Sequence, residues 1–184
     1  MRFVIGTRGS RLALAQAEYV QQKLQNRYPE HEFELRIIKT KGDKIQNKSL
    51  AAIGDKGLFV KEIERELLDG EIQLAVHSMK DMPGEIPDEL CFADAWERED
   101  PRDVLILREA KSLAELPEGA TIGTGSKRRA FQLLALRPDL KIVDIRGNVD
   151  TRLNKMHEQK LDGIVLAAAG LKRIHMESVI TQYL

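Results

Sequence analysis

The sequence contains little cysteine, few aromatic residues and no long apolar run. Its 184 residues include one cysteine, Cys91, so an internal disulfide or a cysteine-rich metal site is excluded. No apolar run approaches the ~20 residues that cross a bilayer, and residues 1–10 lack the apolar core of a secretion signal. We therefore expect a cytoplasmic protein with no membrane partner and no bound metal.

An excess of one charge is also absent, because 29 basic and 29 acidic residues cancel. The chain as a whole has no field that favours nucleic acid, and an aromatic content of 5% offers little for base stacking. The basic run at 127–129 is open to two interpretations, a solvated helix face or a nucleic-acid patch. We expect no nucleic-acid partner, so any anion binding must come from local clusters.

Short apolar runs alternate with segments of helical spacing, which predicts an α/β fold with a mainly parallel sheet. In the first half of the chain, strands are predicted at 3–5, 33–39, 72–76 and 91–95. Helices are predicted after Ser10, which can cap its helix, and from Phe59 to Leu67. The stretch 40–56 has little periodicity and is interpreted as a long mobile loop with a function.

The charged, proline-containing segment 97–103 is interpreted as a crossover between two domains. The alternation then restarts, with strands predicted at 104–107, 120–123, 141–145 and 163–168. Helices are predicted after Ser112, from Ser126 to about Leu136, and from Val149. The sequence thus predicts two small α/β domains, 1–96 and 97–184, with a ligand cleft between them.

Polar clusters recur just after the C-terminal ends of predicted strands, where open α/β sheets bind ligands. They comprise residues 7–10, 78–81, 123–129 and 146–148. Each supplies cations or hydroxyl groups, and two of them open a helix whose N–H groups and dipole favour an anion. Since arginine matches carboxylates bidentately, the predicted ligand carries several carboxylates or phosphates. The third cluster lacks the spacing of a P-loop, which argues against nucleotides.

Asp81 is the only acid in the first three clusters. Among cations it should be ionised at neutral pH, and it could then accept N–H hydrogen bonds, stabilise a developing cation or shuttle a proton. The alternative is an ion pair with a nearby arginine, and the sequence favours neither. The neighbouring His77 is expected to be a structural hydrogen-bonding residue.

Several longer motifs resemble those of the hydroxymethylbilane synthase (porphobilinogen deaminase) family. The matching segments are 7–16, 56–62, 75–83, 97–103, 146–153 and 166–171, with Ser126, Arg128 and Arg129 between them. The resemblance implies a monomeric transferase of tetrapyrrole and haem biosynthesis. Such an enzyme joins four porphobilinogens, with loss of ammonia, into linear hydroxymethylbilane. It also implies a dipyrromethane cofactor and two domains similar to type II periplasmic binding proteins.

The resemblance assigns roles to individual residues. Asp81 becomes the catalytic carboxylate that holds pyrrole N–H groups and stabilises the azafulvene cation. The cofactor would be held by Lys80, Asp81, Thr124, Ser126, Arg128, Arg129 and Arg152. The incoming pyrrole or growing chain would be bound by Arg8, Ser10, Gln16, Arg146, Gly147 and Arg152. Lys56 and Phe59 would belong to the mobile loop over the active site.

Two departures from the family pattern qualify these roles. Gly125 and Lys127 stand where a small hydroxyl and an apolar residue are expected. The sequence also stops at Leu184, before the third domain whose cysteine would anchor the cofactor. Cys91 does not match that anchor and is expected to be a half-buried thiol.

The position of Leu184 gives rise to further expectations. The second domain would be incomplete at its C-terminus and the first sheet short of a strand, so the 184-residue chain is expected to associate and to have negligible turnover. The competing hypothesis is a non-catalytic polycarboxylate-binding module of the same fold. The lack of an export signal counts against it.

Overall fold

The computed structural model describes residues 1–44, 57 and 59–184. The described residues fall into two compact units, the first ending at Trp96 and the second running from Glu97 to Leu184. Each unit contains one sheet with helices packed on it, as the alternation of apolar runs and helical segments predicts.

The first unit contains a fully parallel sheet of three strands in the order β2-β1-β3. The strands are β1 (Arg2–Thr7), β2 (Glu32–Ile37) and β3 (Leu74–Ala75). Among the described residues of this unit, the helices are α1 (Arg11–Arg27), α2 (Lys41–Lys44) and α3 (Lys61–Leu68), and a 3-10 turn follows at Met79–Asp81.

Close packing beneath the end of β1 fixes where this sheet presents its polar segments. Ile38, Ile63 and Ile72 form a buried cluster, and a Cβ on Gly6 would lie 3.0 Å from Cδ1 of Ile38. Ser10 then starts α1, because its side chain accepts a hydrogen bond from the backbone N–H of Ala13. The segment between β1 and α1 is therefore held at both ends.

The second unit contains a mixed sheet of five strands in the order β6-β5-β7-β4-β8. The strands are β4 (Asp103–Leu107), β5 (Thr121–Gly123), β6 (Lys141–Val143), β7 (Gly163–Ala167) and β8 (Gln182–Tyr183). The helices are α4 (Lys127–Leu136), α5 (Val149–Glu158) and α6 (Ala168–Arg173), with a 3-10 turn at Glu177–Val179. Strands β5, β6 and β7 are parallel, while β4 runs antiparallel to β7 and β8.

Strand β4 is apolar on both faces because both faces of this sheet are covered. Val104 and Ile106 belong to one buried cluster, and Leu105 and Leu107 belong to the other. A strand buried on both sides has a near-continuous apolar run instead of an alternating one. This explains why 104–107 could be identified as a strand from composition alone.

The α/β class is confirmed, but several local predictions are wrong. Residues 91–95 form no strand and lie exposed, so Cys91 is an exposed thiol instead of a half-buried one. No helix follows Ser112, because the guanidinium of Arg137 binds the carbonyls of Leu113 and Leu116 that a helix would use. The second sheet is mixed instead of mainly parallel. In the predicted loop 40–56, residues 41–44 form α2, and residues 45–56 lie outside the described residues.

Gly163 in β7 provides a test of this packing. A Cβ at this position would lie 2.8 Å from the backbone oxygen of Ile106 and 2.5 Å from Cδ2 of Leu107. We expect Gly163→Ala to lower the free energy of unfolding by about 1–3 kcal/mol, as overpacking does. Urea unfolding followed by far-UV circular dichroism measures the change.

Gly84→Ala is the matched control, since a Cβ on Gly84 would meet no atom within 4 Å. Its free energy of unfolding should stay within about 0.5 kcal/mol of that of wild type. Equal midpoints for the two variants would contradict the packing described for β7.

Candidate functional site

The four polar clusters divide evenly between the two sheets. Residues 7–10 and 78–81 follow β1 and β3 in the first unit, whereas 123–129 and 146–148 follow β5 and β6 in the second. Within each unit the two strands concerned are parallel neighbours, so their clusters lie at the same edge of the sheet.

Arg8 lies at the end of β1 and is held from two sides. Its Nε donates to Oδ1 of Asp43 at 3.1 Å, and its guanidinium carbon lies 4.2 Å from the ring centroid of Phe59. Such stacking over an aromatic face is favourable for a cation. The structure therefore brings together Arg8 and Phe59, two of the predicted residues, and adds Asp43.

Asp43 is itself oriented by the start of α2. Its Oδ2 accepts from the backbone N–H of Thr40 at 3.3 Å, and its own backbone N–H donates to the hydroxyl oxygen of Thr40 at 3.3 Å, which is the reciprocal pattern of a capping box. The hydroxyl of Thr40 also donates to Oδ2 at 2.9 Å. Burial raises the pKa of Asp43, but the hydrogen bonds and charge of Arg8, with the hydrogen bonds of Thr40, hold the pKa below its ordinary value. Asp43 is therefore ionised at neutral pH.

The segment after β3 presents Lys80 and Asp81 to solvent. Ser78 precedes the 3-10 turn and its hydroxyl donates to Oε1 of Gln16 at 3.1 Å, which ties the turn to α1. Within the described residues, the exposed carboxylate of Asp81 accepts no hydrogen bond and forms no ion pair. The described part of the chain thus offers no support for the ion-pair interpretation of Asp81.

His77 lies close enough to Arg8 and Asp81 for both charges to act on it. Burial is the main cause that lowers the pKa of the imidazole, the positive charge of Arg8 lowers it further, and Asp81 opposes them. The net shift is downward, so His77 is neutral at pH 7. A neutral imidazole next to an exposed carboxylate and an arginine adds polarity to the site without adding charge.

In the second unit, the residues after β5 are ordered by local hydrogen bonds. Thr124 is buried, and its hydroxyl accepts from the backbone N–H of Ser126 at 3.2 Å. The side chain of Ser126 caps α4 by accepting from the N–H of Arg129. A Cβ on Gly125 would lie 3.0 Å from Oδ1 of Asp144, so this position, a departure from the family pattern, has little room for a side chain.

The first turn of α4 presents two arginines that share one carboxylate. Arg128 donates to Oδ2 of Asp103 at 2.7 Å, and Arg129 donates to Oδ1 through Nε at 3.0 Å and Nη2 at 2.7 Å. Burial raises the pKa of Asp103, but the hydrogen bonds and charges of the two arginines outweigh it and lower the pKa. Arg129 is nearly buried, with 12% of its side chain exposed, whereas 59% of Arg128 is exposed.

The turn at 146–148 requires glycine at its centre. Gly147 has a φ of 124°, and a Cβ there would lie 2.5 Å from Cγ2 of Thr151. Asn148 caps α5 by accepting from the backbone N–H of Thr151 at 2.8 Å. Arg152 donates through Nε to the carbonyl of Gly147 at 2.8 Å, so it orders the turn that carries Arg146.

The structure thus places every predicted site residue except Lys56, which lies outside the described residues. Two carboxylates, Asp43 and Asp103, belong with these residues although no role was predicted for them. The spacing of Thr40 and Asp43 matches a capping box, so Asp43 had a local signal. Asp103 had none, because its arginine partners are 25 and 26 residues away along the chain.

Comparison with known proteins shows which family has sequences similar to this chain. Residues 3–184 match a family model described as "Porphobilinogen deaminase, dipyromethane cofactor binding domain". Porphobilinogen deaminases of Lachnospira eligens and Clostridioides difficile are 63% and 62% identical to this chain. Each alignment covers the whole of this chain, and it covers 63% of the first relative's length and 62% of the second's. That of Geobacter sulfurreducens is 56% identical over the whole chain and 57% of its own length. The chain thus spans about three fifths of the curated relatives it matches.

Solved structures show the fold class at much lower identity. A probable amino-acid ABC transporter extracellular-binding protein of Bacillus subtilis superposes with a TM-score of 0.55 at 12% identity, over 98% of this chain and 76% of its own. A periplasmic substrate-binding protein of an ABC transporter from Coxiella burnetii gives 0.52 at 12% identity, over 98% and 78%. The expected likeness to type II periplasmic binding proteins is confirmed.

Two kinds of feature are absent from the described residues. No helix among them has the length and apolar character to cross a membrane. No group of three or more His, Cys, Asp or Glu side chains in this part of the chain could hold a metal ion.

The Arg8–Asp43 pair predicts how stability depends on pH. Because the pKa of Asp43 is lowered on folding, its contribution is present above the unfolded value of about 4 and is lost as pH falls through the folded value. Asp43→Asn should therefore cost about 1–2 kcal/mol of unfolding free energy at pH 7, and the difference from wild type should shrink below about pH 4. Urea unfolding at a series of pH values from 7 to below about 4 measures the difference in unfolding free energy, with the exposed Asp88→Asn as control. A difference that stays constant with pH would contradict the assignment.

Proposed function

This chain belongs to the porphobilinogen deaminase family, and from that premise we propose that it supplies the substrate- and cofactor-binding part of a transferase. The reaction joins four porphobilinogens head to tail, with loss of ammonia, into linear hydroxymethylbilane. On the family resemblance we also propose a cytoplasmic location, a monomeric protein, and no nucleic-acid or membrane partner. We further propose two domains, 1–96 and 97–184.

The observation that carries this proposal is the exposed carboxylate of Asp81 within a cationic neighbourhood. It lies in the 3-10 turn after β3, beside Lys80, and its charge and that of Arg8 both act on His77. A carboxylate in that position can accept a hydrogen bond from the N–H of a pyrrole. It can also stabilise the positive charge that is shared by the exocyclic methylene carbon and the pyrrole nitrogen when ammonia departs. It can also move a proton between the pyrrole nitrogen and the departing amine.

The substrate's own charges explain the cations. Porphobilinogen carries an acetate and a propionate arm, so each added ring brings two carboxylates. We assign the incoming ring and growing chain to residues at the strand ends that combine cations, hydroxyl or amide groups and a glycine turn. These residues are Arg8, Ser10, Gln16, Arg146, Gly147 and Arg152. Guanidinium groups match carboxylates in a bidentate geometry, which suits a ligand whose carboxylate number grows during the reaction.

The donor set also fits the dipyrromethane cofactor, which when bound supplies two pyrroles with their carboxylate arms. The residues that would hold it combine cations with hydroxyl groups and one carboxylate. They are Lys80, Asp81, Thr124, Ser126, Arg128, Arg129 and Arg152. Thr124 and Ser126 are already ordered by the cap of α4, so their hydroxyl groups are available without a large conformational search.

Phe59 and Lys56 are proposed to form part of the segment that covers the active site. The ring of Phe59 lies against the guanidinium of Arg8 in the described structure. A ring in that position removes water from one face of the cation, which strengthens the interaction of its remaining N–H groups with a carboxylate. Phe59 thus acts on substrate binding through Arg8.

Substrate binding is tested by isothermal titration of the 184-residue chain with porphobilinogen and, separately, with succinate. We expect Arg8→Gln to weaken porphobilinogen binding by about 10- to 100-fold, the equivalent of a charge-assisted hydrogen bond. Arg65→Gln is the control, since Arg65 is a surface residue of α3 whose side chain is 83% exposed. Equal affinities for the two variants, or binding of succinate as tight as that of porphobilinogen, would contradict the proposal.

Catalysis by Asp81 is tested on the complete gene product by measuring hydroxymethylbilane formed from porphobilinogen. Asp81→Asn removes the charge at almost constant shape, so we expect kcat to fall by about 10²- to 10⁴-fold while KM changes by less than about threefold. Asp88→Asn alters an exposed carboxylate a few residues along the chain and should leave both constants unchanged. A large rise in KM with an unchanged kcat would instead assign Asp81 to binding alone.

A further inference from the structure

The carboxylate of Asp103 fixes two arginines that belong to the candidate cofactor site. Asp103 begins β4, and Arg128 and Arg129 lie in the first turn of α4. Three hydrogen bonds of 2.7, 2.7 and 3.0 Å join this one carboxylate to the two guanidinium groups. Only 13% of the Asp103 side chain is exposed, so solvent screens these bonds weakly.

The two arginines are engaged to different degrees. Arg129 directs Nε and Nη2 to Asp103 and Nη1 to the carbonyl of Val165 at 3.3 Å, so all three nitrogens have partners in the chain. Arg128 donates to Asp103 through Nη2 and to Gln132 through Nη1, and more than half of its side chain is exposed. Arg128 therefore has the larger solvent-facing surface for a ligand.

These residues line an open hollow of about 340 Å³ in the second unit. Its walls are partly apolar, with Leu133, Leu136 and Val165 beside the charged groups. Arg128, Arg129 and Asp103 together carry a net charge of plus one, and Arg102, which pairs with Asp100, also lines the hollow. A ligand carboxylate entering this hollow would meet guanidinium groups whose orientation is already set and would compete with Asp103 for their N–H donors.

We propose that Asp103 is a positioning residue that makes this anion site selective for the carboxylate arms of pyrroles. This proposal rests on the proposed function and deepens it. Holding the arginines in one orientation favours a ligand whose carboxylates fit that orientation. The negative charge of Asp103 also weakens the binding of simple anions, because it offsets one of the two cations.

The test compares Asp103→Asn with wild type by isothermal titration of the 184-residue chain with porphobilinogen and with succinate. Porphobilinogen serves as the probe of the cofactor residues because it carries the same acetate and propionate arms as a ring of the cofactor. The variant loses the charge but keeps the shape of the side chain. We expect porphobilinogen affinity to fall by about fivefold or more, while succinate affinity stays equal or rises. A residue that only stabilises the fold would lower both affinities together, and that result would overturn the proposal.

Asp139→Asn is the matched control within the same unit. Asp139 accepts from Nε and Nη2 of Arg137 at 2.8 Å each, so it has the same kind of bidentate partner away from the hollow. We expect its loss to reduce stability without changing the ratio of the two affinities. A ratio that changes equally in both variants would show that general destabilisation is the cause, against the proposal.

The orientation of the arginine is measured independently of any ligand by nitrogen-15 NMR of the Arg129 side chain. The Nε–H proton should exchange with water at least about tenfold faster in Asp103→Asn than in wild type, because its acceptor has lost its charge. Unchanged exchange overturns the proposal even if porphobilinogen binds. Faster exchange with no binding of porphobilinogen to wild type would refute the proposed function and confine Asp103 to ordering the arginines. Wild type binding neither anion would overturn both proposals.

Discussion

The constraint on which this site depends is that its arginines are paired with carboxylates of the same chain. Arg8 is held by Asp43 in the first unit, and Arg128 and Arg129 are held by Asp103 in the second. Unpaired guanidinium groups on partly buried positions would cost free energy through desolvation and mutual repulsion. The pairing lets a chain of zero net charge keep cations at strand ends without losing its fold.

The two pairings differ in how they are built, and the difference affects how a ligand can act on them. Asp43 is presented by a short helix that Thr40 caps, so its orientation depends on local hydrogen bonds. Asp103 belongs to β4, a strand between two neighbours in the sheet, so its backbone is fixed by the ladder. A ligand that displaces Asp43 therefore perturbs one turn of helix. A ligand that displaces Asp103 can move its side chain but not its backbone, because the sheet holds that backbone.

Local signals in the sequence were sufficient for much of the fold. Ser10 and Ser126 precede their helices as caps, and the apolar run of β4 is buried on both faces. The failures came where a distant residue decided the outcome. The carbonyls after Ser112 accept hydrogen bonds from Arg137, and no spacing rule reveals a donor that lies more than 20 residues away. The run at 91–95 is apolar enough for a strand but pairs with no strand of the described residues.

The candidate site shows the same division between local and distant information. Motifs indicated the arginines and Asp81, because contiguous residues after a strand carry them, but the carboxylates that orient the arginines are separated from them by 25 residues or more. The fold by itself is shared with substrate-binding proteins at 12% identity, so it cannot account for chemistry. What distinguishes the first unit is an exposed carboxylate, Asp81, near a cation, Arg8, that is paired with Asp43. Because the paired cations are already neutralised in part, a small anion gains little from them, and a ligand with several correctly spaced carboxylates gains most.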